Sequence, residues 1–223
     1  MRNVVFSFLI FFFWIQVGFS DSHKKPNIKT ISPESPLKTT YLATISNEKS
    51  CMTTATWVVN SGNWNVPANW STGVVPDANT DVIISGLAKH VTIPSNVNAQ
   101  ALSIILESTA MLTISTDATL TINNSVLDAL TLDFGVVMTN HGIINIGSGG
   151  TIGRHAIAMF QSAEIINSTS GVIHINNVSE VAFTMNLDCE VTNSGSINIG
   201  STEAVNGAGF AMDNNCVLTH IAY

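Results

Sequence analysis

Apolar residues recur along the second half of the chain at a spacing of 26 or 27 positions. Four aligned segments carry this repeat, and the steps between them are 27, 26 and 27 residues in each aligned column. The apolar columns are Leu130, Ile157, Phe183 and Phe210; Leu132, Met159, Met185 and Met212; and Val136, Ala163, Cys189 and Cys216. A fixed period in this range indicates one structural unit that is stacked repeatedly.

Each period contains three short stretches in which apolar and polar residues alternate, separated by Gly, Asn and Ser. Alternation with a period of two is typical of a strand with one buried face, and the intervening residues favour turns. The pattern therefore predicts an all-β fold with three strands per coil of about 27 residues. The expected architecture is a single-stranded parallel β-helix of the pectin-lyase-like type, taken to be right-handed.

The chain divides into four predicted segments. Residues 1–20 combine Arg2 with an apolar run too short for a membrane span, and we interpret them as a cleaved signal peptide rather than a membrane anchor. Residues 21–50 are rich in Lys, Ser, Thr and Pro and are predicted to be a disordered linker. Residues 51–80 are expected to form a Trp-rich N-terminal cap, and residues 81–223 the β-helix, with roughly six turns. No later segment is apolar enough to span a membrane.

One polar column and one cysteine pair accompany the apolar columns. Asn140, Asn167 and Asn193 are one period apart, and we interpret them as an asparagine ladder at a turn; a sugar-binding row of amides is the alternative. Cys189 and Cys216 also share a column. Adjacent parallel strands would permit a disulfide there, but we favour two free thiols that act as small apolar fillers.

Charge is distributed unevenly along the chain. Of the eight Lys and Arg residues, only Lys89 and Arg154 lie beyond residue 50, whereas twelve of the fifteen acidic residues lie there. The predicted folded part is therefore about ten charges negative. This excludes nucleic acid as an expected partner, because phosphates need a basic face, and it fits an extracellular protein.

The segment from residue 57 to residue 84 carries a tryptophan-rich motif. Its pattern positions are Trp57, Trp64, Asn69, Trp70, Gly73, Pro76, Asp81, Val82 and Ile84. This segment resembles the one that precedes the β-helix in secreted bacterial surface proteins, namely type IX-exported proteins of the Bacteroidetes and autotransporter-like adhesin passengers. The resemblance implies export and a parallel β-helix. Those exported proteins usually carry a C-terminal sorting domain, and we expect this protein to depart from the pattern by lacking one.

The chain stops part-way through a predicted coil, after His220. We therefore expect a truncated β-helix, whose open last coil would permit end-to-end association. The three tryptophans Trp57, Trp64 and Trp70 at the other end have two interpretations. They form a compact cap that protects the first strand edges, or an aromatic platform for sugar rings.

Candidate chemistry is sparse. Glu164 and Glu190 are one period apart and are expected to point outward as solvated carboxylates, with a surface cation site and a catalytic pair as the alternatives. His141, His155 and His174 lack metal-site spacing and are expected on turns or on the surface. Lys89 and Arg154 lie near no acidic cluster in the sequence.

We therefore expect no catalytic residues, no metal and no cofactor. The predicted function is that of a secreted or cell-surface β-helix protein with an adhesin-like or structural role. Glycans or components of a host or cell surface are its expected partners. The alternative is a carbohydrate-binding protein or a polysaccharide lyase or hydrolase that uses the long face of the coil.

Overall fold

The protein is a parallel β-solenoid of about six turns. The computed structural model describes residues 52–221, so the predicted signal peptide, the predicted linker and Cys51 lie outside the described residues. Every pairing between its strands is parallel, and successive strands of one sheet come from successive coils. The predicted all-β coil with three strands per turn is confirmed.

Three sheets run along the solenoid, and each complete coil contributes one strand to each sheet. Sheet I contains β1 (Thr53–Thr56), β3 (Thr80–Ile84), β6 (Ser103–Leu106), β9 (Leu130–Leu132), β12 (His155–Phe160), β15 (Val181–Asn186) and β18 (Phe210–Met212). Sheet II contains β2 (Ser61–Asn63), β4 (His90–Ile93), β7 (Met111–Ile114), β10 (Val137–Asn140), β13 (Glu164–Asn167), β16 (Glu190–Asn193) and β19 (Val217–His220). Sheet III contains β5 (Asn98–Ala101), β8 (Thr119–Ile122), β11 (Ile143–Ile146), β14 (Val172–Ile175) and β17 (Ser196–Ile199).

We number the coils by their sheet I strand, so that coil 1 begins at β1 and coil 7 at β18. The segment predicted as a cap contributes β1 to sheet I and β2 to sheet II, followed by a short 3-10 helix over Pro67–Asn69. It therefore continues the parallel ladders of coil 2. No helix in residues 52–221 is long and apolar enough to cross a membrane.

Alternation within each strand places the core inside the coil. In β7, Leu112 and Ile114 are fully buried, whereas Met111 and Thr113 face outward. The predicted columns stack in the predicted register: Phe183 pairs with Ile157 on one side and with Phe210 on the other. Each buried Leu or Ile side chain contributes about 1.5–3 kcal/mol, and stacking satisfies the backbone groups of every inner strand.

The turns from sheet I to sheet II have an unusual backbone, and we call them I–II turns. From coil 3 to coil 7, each contains two consecutive residues with φ between 50° and 68°. These pairs are Ser108–Thr109, Phe134–Gly135, Gln161–Ser162, Leu187–Asp188 and Asn214–Asn215. The pairs hydrogen-bond from coil to coil, as in the 2.9 Å bond from the Gly135 N–H to the Gln161 carbonyl. Residues in the left-handed conformation thus continue the hydrogen bonding between coils through the I–II turns.

Candidate functional site

The three tryptophans form a buried cluster. Trp57, Trp64 and Trp70 are 2%, 0% and 2% exposed. Trp70 lies edge-on to both partners, with ring centroids 5.0 Å from Trp57 and 4.8 Å from Trp64, and its indole N–H donates to the Trp64 carbonyl at 2.7 Å. A sugar needs an exposed ring face to stack on. The interpretation of these residues as a carbohydrate platform is therefore wrong, because the indoles pack against one another and against the core.

The asparagine column forms a continuous ladder of amides. Asn140 donates to the side-chain oxygen of Asn167 at 2.8 Å, and Asn167 donates to that of Asn193 at 2.7 Å. Asn193 continues the row to the imidazole of His220 at 3.0 Å. The three asparagines are buried and bond to each other and to turn backbone, so they are not available to a sugar.

Glu164 and Glu190 are adjacent in register on β13 and β16, on the outer face of sheet II. Their column neighbours are Val137 and Val217. Within residues 52–221, no group of three or more His, Cys, Asp or Glu side chains has the arrangement of a metal site. The geometry thus shows a pair of outward carboxylates without a third acidic, His or Cys ligand in the described chain.

Cys189 and Cys216 are free thiols in neighbouring coils. Cys189 is buried, and burial raises the pKa of its thiol above the ordinary value, more than its hydrogen bonds to backbone groups lower it. A neutral buried thiol behaves as a small apolar side chain, as expected for the filler interpretation.

The sequence interpretation missed a charged cluster around His155. This residue lies in β12 with a side chain only 12% exposed, which corrects the expected turn or surface position. Its Nδ1 lies 2.9 Å from Oδ1 of Asp128 and its Nε2 lies 3.5 Å from Oε2 of Glu180. Asp128 and His155 are 27 residues apart, so the period itself carried the signal.

The His155 cluster does not have the geometry of a catalytic base. The 2.9 Å approach of Nδ1 to Asp128 lacks hydrogen-bond geometry, and the same Asp128 oxygen instead accepts the His155 backbone N–H at 3.3 Å. A general base needs one ring nitrogen held by a carboxylate and the other open to substrate. Here the second nitrogen faces Glu180. The cluster therefore connects coils 4, 5 and 6.

A row of exposed apolar side chains follows the I–II turns. Leu87, Phe134 and Leu187 are 80%, 54% and 47% exposed, and they occupy the turns of coils 2, 4 and 6. We call these three residues the apolar turn row. The intervening turns carry Ser108 and Gln161. Together with neighbouring turn residues they line an open groove of about 760 Å³.

Neither burial nor backbone preference accounts for Phe134 and Leu187 in this row. Phe134 has φ 56° and Leu187 has φ 64°, a region that costs a bulky residue roughly 1–2 kcal/mol. The equivalent position in coil 7 is Asn214, with φ 50°, and asparagine tolerates this conformation. The same turn thus forms with a residue that suits it. Exposed Phe and Leu at this position point to a role outside folding.

Comparison with known protein families finds a match to the first coils. Residues 56–136 match a protein family described as a domain of unknown function (DUF8693). The matched part covers less than half of the chain and contains the tryptophan cluster and the turns of Leu87 and Phe134. No curated protein and no solved structure matches the chain.

Proposed function

We propose that the chain is an adhesin-like protein, secreted or held at the cell surface, that binds a partner surface through the apolar turn row and has no catalysis of its own. The observation that carries the proposal is the placement of Phe134 and Leu187 at exposed, left-handed turn positions where asparagine suffices in coil 7. The three exposed apolar side chains lie on alternate coils and line one open groove, and exposed apolar surface gathered in one place marks an interaction site.

The length of the row supports a large partner. Leu87 and Leu187 are four coils apart, and at about 4.8 Å per coil the row extends for roughly 19 Å. A row of this length fits an extended polymer or another macromolecule better than a small molecule. The acidic character of the coil favours a neutral or basic partner over an anionic one.

Location at the cell exterior is part of the proposal. The signal-like residues 1–20 and the tryptophan motif, which resembles that of exported bacterial surface proteins, support it. Polysaccharide binding is the second candidate function. It is favoured by the exposed Phe134 ring, which has the hydroxyl of Ser108 and the amide of Gln161 on the adjacent coils.

Adhesion of the full chain on beads to a panel of bacterial and animal cells tests the proposal. The double variant Phe134→Asn/Leu187→Asn keeps residues that tolerate the turn conformation, so it should fold and lose at least about tenfold in adhesion. The matched control Val74→Asn changes another exposed apolar side chain and should adhere normally. Unchanged adhesion of the double variant would refute the proposal. A glycan array probed with the same proteins separates the two candidates, because only polysaccharide binding predicts a signal that Phe134→Asn removes.

A further inference from the structure

A second apolar surface lies at the opposite edge of sheet I from the apolar turn row. It is a groove of about 400 Å³ on the outer face of β3 and β6, bordered by the loop that enters β9. Ile105 lies on its floor, and Val126 and Leu127 stand at its margin with 72% and 61% of their surfaces exposed. Asp81 and Asp128 also line it. We call this surface the sheet I groove.

Comparison between coils shows that the exposed apolar pair is not a requirement of the fold. The loop before β12 carries Gly153 and Arg154 where the loop before β9 carries Val126 and Leu127, and the Arg154 N–H donates to the Leu127 carbonyl. In the next coil Glu180 follows, and its N–H donates to the Arg154 carbonyl. Glycine and charged residues at these positions therefore form the same hydrogen bonds between the loops of neighbouring coils. The apolar pair occurs in the coil whose loop borders the sheet I groove.

Both carboxylates of the groove are held in place by neighbouring groups. Oδ1 of Asp81 accepts the Ser103 hydroxyl. Oδ1 of Asp128 accepts the His155 backbone N–H and lies 2.9 Å from Nδ1 of His155 and 3.6 Å from Nε of Arg154. Within residues 52–221, Oδ2 of each accepts no hydrogen bond. The two residues belong to coils 2 and 4, which places them about 10 Å apart along the solenoid. Fixed anionic oxygens at that separation suit a ligand with cationic groups.

We propose that the sheet I groove binds an extended peptide segment of a partner protein that carries basic side chains next to apolar ones. Side chains four residues apart in an extended chain lie on one face about 13 Å apart, so two flexible basic side chains reach both carboxylates. The apolar side chain between them on that face contacts Ile105 and Leu127. Charge complementarity supports this ligand, because the described chain has twelve acidic and two basic residues. The same charge disfavours nucleic acid and anionic lipid. The proposal is independent of adhesion through the apolar turn row.

Fluorescence anisotropy with the full chain tests the assignment, using a labelled octapeptide that repeats Lys-Lys-Leu-Leu and so carries both residue types on each face of an extended chain. Asp81→Asn keeps the acceptor for Ser103 and should weaken binding about tenfold, as should Leu127→Ser, because each removes one part of the contact. The matched controls Asp117→Asn and Val74→Ser change an exposed acid and an exposed apolar side chain outside both proposed surfaces and should bind as the wild type. Equal binding of a Lys-Lys-Ser-Ser octapeptide would overturn the proposal, since it would show attraction by charge alone. Binding that neither Asp81→Asn nor Leu127→Ser weakens would overturn it as well.

Discussion

Asn140 and Asn167 are stacked one coil apart, and the amide of the first donates to the oxygen of the second across 2.8 Å inside the solenoid. Both side chains are fully buried. Burial of a polar group costs free energy unless it is hydrogen-bonded, so each amide in this ladder depends on its neighbours. The ladder therefore holds each turn between sheets II and III to the turns above and below.

Removal of the middle amide should destabilise the fold. Asn167→Ala leaves the Asn193 oxygen without its ladder partner and the Asn140 amide with only the Val172 carbonyl at 3.3 Å, and we expect a loss of about 2–4 kcal/mol in the free energy of unfolding. Urea denaturation followed by circular dichroism measures it. Asn145→Ala, on the outer face of β11, is the control and should change stability by less than about 0.5 kcal/mol. Equal effects of the two variants would contradict the ladder.

A charge in the inward aromatic column should be far more disruptive than one on the outer face. Phe183 is fully buried and stacks on Phe210 with ring centroids 4.6 Å apart. Phe183→Asp introduces an unpaired buried carboxylate, and we expect a loss of at least about 3 kcal/mol. Thr184→Asp, one residue along β15 and facing outward, should stay within about 1 kcal/mol of the wild type. Thermal melting of both variants checks the register, and similar melting temperatures would disprove it.

Truncation of the central tryptophan should affect stability rather than ligand binding. Trp64 is fully buried against Trp70, so Trp64→Ala should cost about 3–5 kcal/mol. Val66→Ala, at a partly exposed position nearby, should cost under about 1 kcal/mol. Differential scanning calorimetry measures both. A Trp64→Ala protein that melts like the wild type but loses binding to a glycan would restore the platform interpretation.

Strain in the I–II turns predicts opposite effects of glycine at two glutamines. Gln161 has φ 52°, so Gln161→Gly should raise the free energy of unfolding by about 0.5–1 kcal/mol as the left-handed strain is relieved. Gln100 faces outward in strand β5, where Gln100→Gly should lower it by about 0.5–1 kcal/mol. Chemical denaturation at one temperature compares the two. Destabilisation by both substitutions would show that Gln161 is not strained.

Burial of Cys189 predicts a pH dependence at alkaline pH. Burial raises the pKa of this thiol in the folded chain, so the native state keeps a proton that the unfolded state loses first. Stability from this group is fully present below the unfolded pKa and is lost as pH rises through the folded pKa. The stability difference between wild type and Cys189→Ala should therefore be constant from about pH 6 to 8 and shrink above about pH 8.5. A difference that grows with pH would reverse the sign and contradict the burial effect.

The alignment of similar residues in successive coils made much of the fold predictable from the sequence. The columns of Phe183, Cys189 and Asn167 lie where the period places them, because a parallel coil aligns residues that are one period apart. The same rule carried a signal for Asp128 and His155, which the sequence interpretation did not use. The repeat is irregular in the first coils, and strands β1 and β2 are too short to show alternation of apolar and polar residues. The sequence therefore did not reveal that residues 52–80 contribute strands to the parallel sheets.

The sequence by itself determined the period, the inward columns, the register and the excess of negative charge, because each follows from residue type and spacing alone. The tertiary structure decided which side chains are accessible. It buried Trp64 under its neighbours, enclosed His155 between two carboxylates, and exposed Phe134 and Leu187 on left-handed turns. These outcomes depend on how each turn packs against the turns of the neighbouring coils. The pattern of apolar and polar residues does not specify the path of the backbone through a turn.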